Sequence, residues 1–268
     1  MLRGFLYAKW KSISIWRRIL LVVFLTGSII CIAPTTMGGV GIFEFSVALF
    51  NDPIFICYIM LFAQLLITAD TYASSIYRNF DDYLVLYVRG VKRWVFYNYI
   101  FLAIESIMLL FATITVAWIF FFTSLAGNNA FQNIWISTTG ISSDVSPLNG
   151  FLLSMLFGFL RILFLSLLTF QINLLSKHCI GFLGSVSVTL IDRFLYEAFD
   201  IMQPLKITLL EHTRVLYTEA VAPAWDNPVR TGYLQSVLIW LILIILLLLS
   251  IMYFAKQKNF FTYDSDNI

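Results

Sequence analysis

The chain has 268 residues, of which 60% are apolar and only 12% charged, about half the charged share of an ordinary soluble domain. A soluble fold of this length cannot hide that much apolar surface in one core. This excludes a water-soluble enzyme, a disordered regulator and a nucleic-acid-binding domain, and the net charge of +2 gives no electrostatic reason to look for nucleic acid.

The composition predicts an all-α polytopic membrane protein forming a single transmembrane domain over residues 1–268, with spans of about 20 apolar residues each. Leu2 to Ile15 mixes Phe5, Tyr7 and Trp10 with Lys9 and Lys11. That mixture suits an amphipathic N-terminal helix lying in the interface, the layer Trp and Tyr prefer; the bland alternative is a frayed basic tail. The first span is 16–33, ended by Pro34. The long basic stretch before it and the lack of a small-x-small pattern after it predict a retained helix rather than a cleaved signal. Residues 35–52 read as an outer loop, and Gly-rich Thr35 to Gly41 lacks a phosphate-binding pattern, so it reads as a turn. The second span is 54–73, entered through Asp52-Pro53.

The next loop is the most informative piece. Asn79 can cap a helix, and Asp81 and Asp82 suit its positive end. Tyr83 to Val88 continues the helix, Arg89 suits its negative end, and Gly90 is placed as the left-handed stop. A short capped helix over 79–90 is therefore expected, followed by Lys92, Arg93 and Trp94 at the start of the third span, 95–122. It reads either as a surface connection or as a docking element for a partner.

The loop 124–150 is polar and reads as exposed. The fourth, fifth and sixth spans are 151–175, 179–198 and 233–254, and short outer helices are expected between Met202 and Arg230. Twelve of the 17 basic residues fall on one side of this layout. By the positive-inside rule both termini are cytoplasmic, in a multi-pass protein of the cell membrane.

Ionisable side chains within spans are expensive and need partners or water. Glu105 and Arg161 fall near mid-depth of adjacent antiparallel spans, so an ion pair between them is the simplest expectation. Asp192, Arg193 and Glu197 crowd the outer half of the fifth span; Arg193 and Glu197 are spaced to pair on one face. No HExxH, GxSxG, CxxC or Walker motif is present, and Cys31, Cys57 and Cys179 have no metal or disulfide spacing. The chain is not expected to be catalytic, to hold a metal or to bind a cofactor.

The stretch from Tyr77 through Asn79, Asp81, Asp82, Arg89, Gly90 and Lys92 to Trp94, set in this six-span layout, resembles the coupling-helix region of ABC transporter permeases. The class is the type-2 exporters, which includes lantibiotic and bacteriocin exporters. The resemblance implies a dimer of permeases with two cytoplasmic ATPases holding ATP and Mg, and a substrate moved outward. It implies that Asp81, Asp82, Tyr83, Arg89, Lys92 and Arg93 meet the ATPase. An aromatic and aliphatic path suits an amphipathic peptide or a lipid-like cargo. A non-transporting scaffold or peptide-immunity protein is the alternative, and an intramembrane enzyme built on Glu105 or Asp192 lacks a second catalytic group.

Overall fold

In the computed structural model the described residues are 1–12, 15–36, 42–52, 54–64, 80–125, 147–176, 180–199, 209 and 233–257. They are almost entirely helical, with no strand among them. The helices are α1 (Leu2–Ser12), α2 (Ile15–Thr36), α3 (Ile42–Asn51) and α4 (Phe55–Gln64). Then follow α5 (Phe80–Tyr87), α6 (Val91–Leu125), α7 (Pro147–Ser176), α8 (Gly181–Phe199) and α9 (Tyr233–Gln257). In hydrocarbon every backbone N–H needs a partner within its own segment, so apolar runs such as Val237–Phe254 fold as helix.

Among the described residues four helices are long and apolar enough to cross a membrane: Ile15–Ile32, Val91–Thr123, Leu148–Ser176 and Tyr233–Gln257. The number rises to five when α3 and α4 are taken as one bent span. The chain is therefore compatible with a multi-pass membrane protein. Helix α8 forms at the place expected for the fifth span, but Asp192, Arg193 and Glu197 keep it out of that apolar set.

Helix α7 is the axis of the packing. It contacts α3, α6, α8 and α9, and 67% of its apolar window is buried, against 22% for α2 and 17% for α9. Ring contacts set the register of α7 on α6: Trp94 meets Phe170 at 5.5 Å and Trp118 meets Phe151 at 6.0 Å. Phe164 meets Trp240 of α9 at 5.6 Å. Helix α6 has 35 residues, about 52 Å at 1.5 Å per residue, well beyond the ~30 Å of a bilayer core. Its N-terminal end carries α1 and α5, with Phe5 against Tyr97 at 5.6 Å.

Three expectations are corrected by the structure. The loop read over 35–52 contains α3, whose Phe45, Val47, Leu49 and Phe50 are buried against the bundle. It escaped notice because Phe45 to Phe50 is too short for a span by itself. The second span accordingly does not begin cleanly at residue 54: α3 and α4 join at a 70° bend. Asp52 Oδ1 accepts the Phe55 N–H at 2.8 Å, restarting the helix after the break, and its first stretch, Phe55–Ile59, is a π-helical turn. Residues 65–73 of that span lie outside the described residues, as do the loop 126–146 and, apart from Leu209, the segment expected to hold outer helices. The first span also runs past Pro34 to Thr36.

Candidate functional site

Two constellations carry the chemistry, one at the exposed end of α6 and one inside the bundle. At the first, α5 ends in a Schellman turn. The Gly90 N–H donates to Val85 O at 3.2 Å and the Arg89 N–H to Leu86 O at 3.1 Å. Gly90, the expected stop, takes a positive φ of 137°, and Arg89 before it is left-handed as well, at φ 58°. Holding a non-glycine residue left-handed costs roughly 1–2 kcal/mol. Buried Val88 and Trp94 wedge the turn against the bundle and hold it there. Arg89, Lys92 and Arg93 are all exposed beside it. Helix α5 contains Asp81, Asp82 and Tyr83, whose side chains lie outside the described residues.

The second constellation centres on Arg161 of α7. Its Nη1 stands 3.4 Å from Asp192 Oδ2 on α8, with the two side chains only 5% and 6% exposed. Its Nη2 lies 3.8 Å from Cys57 Sγ on α4. The other Asp192 oxygen, Oδ1, accepts the Leu209 backbone N–H at 2.6 Å. One ion pair thus ties together α4, α7, α8 and the segment after α8.

The expected Glu105–Arg161 pair is therefore not formed. The Trp94–Phe170 and Trp118–Phe151 contacts do bring Glu105 level with Arg161. The guanidinium, however, is turned toward α4 and α8. Glu105 is buried, and its Oε1 accepts no hydrogen bond among the described residues. Asp192 is buried while its neighbour Arg193 is partly buried, so the two do face differently. The side chain of Glu197 lies outside the described residues, and with it the expected contact to Arg193.

Below the ion pair, α7 and α8 share a polar seam that the sequence reading missed. Thr169 and Ser185 hydroxyls are 2.6 Å apart, and the Ser185 hydroxyl donates to Leu165 O at 3.1 Å. The Gly181 N–H donates to Asn173 Oδ1 at 2.6 Å. A Cβ on Gly181 would strike Thr169 O, and one on Gly184 would strike Ile172 Cδ1. These two glycines are what lets the hairpin close. The signal was legible: Gly181, Gly184, Ser185 and Thr189 form a small-residue stripe at helical spacing, the pattern of close helix contact in membranes.

Among the described residues no three His, Cys, Asp or Glu side chains stand together as metal ligands. Comparison of the chain with family models, with curated proteins and with solved structures finds no match.

Proposed function

We propose that this chain is the membrane-spanning subunit of an ATP-driven exporter, with ATP hydrolysed by a separate cytoplasmic subunit. The observation that carries the reading is the turn at Arg89. A short capped helix is pinned to the projecting end of the longest helix, and an exposed arginine is kept in a left-handed conformation. Strain of this kind collects at functional positions, where surrounding packing sustains it. A rigid α5–α6 elbow is a suitable lever: a push on α5 passes into α6, and α6 packs on α2, α7 and α9.

In this reading the chain crosses the cell membrane six times, with α3–α4 as the second span, α8 as the fifth and both termini cytoplasmic. Two such chains form the path, and Asp81, Asp82, Tyr83, Arg89, Lys92 and Arg93 meet the ATPase. ATP binding at the partner supplies the differential binding energy that any two-state switch requires. The cargo is an amphipathic peptide or lipid-like molecule moved outward. The test is Asp81→Lys with Asp82→Lys, scored by ATPase association and by membrane insertion. Loss of association with intact insertion supports the docking assignment; unchanged association overturns it.

A further inference from the structure

Helix α1 has one unpartnered face, and its composition is specific. Phe5 and Lys9 are buried on the side that meets α6. Arg3, Tyr7, Trp10 and Lys11 are exposed, and their spacing of i, i+4, i+7 and i+8 places them on one stripe. Neither Arg3 nor Lys11 has an ion-pair partner among the described residues. Arg18 ties this stripe to the start of α2. Its Nη2 donates to Trp10 O at 3.0 Å, and its guanidinium carbon lies 3.9 Å from the centre of the Trp10 ring. Just beyond, Trp16 is 75% exposed and opens the exposed apolar face of α2 formed by Ile19, Leu20 and Val23.

The exposed surface of α1 thus places Tyr7 and Trp10 between two cations, Arg3 and Lys11, and the apolar face of α2 opens at Trp16. Cations that suit anionic headgroups, aromatics that suit the interface and an apolar helix that suits acyl chains are together the chemistry of a membrane surface. A water-soluble partner would not match the exposed apolar face of α2, which this reading takes into the bilayer.

We infer that the Arg3–Tyr7–Trp10–Lys11 face of α1 is a docking surface for anionic phospholipid headgroups of the cytoplasmic leaflet, with Arg18 clamping it at the depth set by α2. The inference rests on the proposed cytoplasmic N-terminus but uses neither an ATPase nor a cargo, so its failure leaves the transport reading untouched, and the converse. Arg3 and Lys11 hold lipid phosphates; Tyr7 and Trp10 lie at the glycerol level.

The test is native mass spectrometry of the delipidated full-length chain, titrated in detergent with phosphatidylglycerol or phosphatidylcholine. The wild type is expected to bind phosphatidylglycerol in preference. Arg3→Gln with Lys11→Gln is expected to weaken that binding about five-fold per charge removed, with the loss shrinking at high salt. Arg3→Lys with Lys11→Arg is expected to keep it, and thermal unfolding checks that each variant is folded. Equal binding of the two lipids by the wild type overturns the inference. So does an unaffected Gln variant, or loss of preference in the charge-keeping variant. Full competition by inorganic phosphate at matched concentration would mean a free-anion site and overturns the lipid assignment. Loss of binding in Lys92→Gln with Arg93→Gln, but not at Arg3 and Lys11, would place the lipid elsewhere and overturns it too.

Discussion

The Arg161–Asp192 pair gives the sharpest test of the packing. Both side chains are about one-twentieth exposed, at 5% and 6%, and lie 3.4 Å apart. Asp192→Asn leaves an amide oxygen to accept the Leu209 N–H but removes the counter-charge of Arg161. Breaking a buried ion pair by removing one partner costs about 3–5 kcal/mol, and a cation at mid-membrane about 2.5–3.5 kcal/mol on insertion scales. The loss should therefore be about 3 kcal/mol, far more than the ~0.6 kcal/mol of a neutral interhelical hydrogen bond. Arg161→Met should cost a similar amount, because it removes the cation 3.4 Å from the buried Asp192 carboxylate. The double variant Arg161→Met with Asp192→Asn should recover most of it, since both charges of the pair are then removed together and the amide oxygen still accepts the Leu209 N–H. The assay is denaturant unfolding of the purified protein in one detergent, run as a double-mutant cycle. Additive losses in the double variant would refute the reasoning.

Four more outcomes follow from particular contacts. Gly181→Val is expected to destabilise the α7–α8 hairpin by at least about 1–3 kcal/mol, because its Cβ meets the Thr169 carbonyl and cannot be accommodated by a side-chain shift; unfolding in detergent checks this, and an unaltered midpoint would contradict the seam. Arg89→Gly is expected to stabilise the chain by about 1 kcal/mol through relief of left-handed strain, while weakening ATPase association; unfolding and co-purification separate the two effects. Glu105→Gln is expected to leave stability nearly unchanged or raise it, because no hydrogen bond to Oε1 is lost; a loss comparable to that at Asp192, in the same unfolding assay, would contradict the structure. Trp118→Phe removes the 3.0 Å bond from the indole N–H to Ser46 Oγ and is expected to cost about 1 kcal/mol, seen as a lower unfolding midpoint.

The elements that were legible from sequence are those whose signal is local. An unbroken apolar run such as α9 needs no context, and the α5 helix was marked by its own carboxylates and by Arg89-Gly90. What escaped was set by tertiary placement. Nothing in Phe45 to Phe50 says that it packs on α7 rather than turning outside. Depth along a helix is readable by counting residues, so Glu105 and Arg161 came out level. Rotation about the axis is not, so Arg161 was assigned to the wrong acid. Its true partner lies on α8, across a hairpin whose closeness depends on Gly181 and Gly184. Arg89 joins Gly90 at positive φ for a related reason. Local preference favours glycine there, but burial of Val88 and Trp94 fixes where the turn must fall.

The most direct test of the transport reading is to isolate the tagged chain from its native membrane in mild detergent and identify what comes with it. A P-loop ATPase in stoichiometric amount, lost when Asp81 and Asp82 are replaced by lysine, is the expected result. A chain that emerges alone, even after gentle cross-linking in the membrane, would contradict the proposal and leave a scaffold or peptide-immunity role in its place.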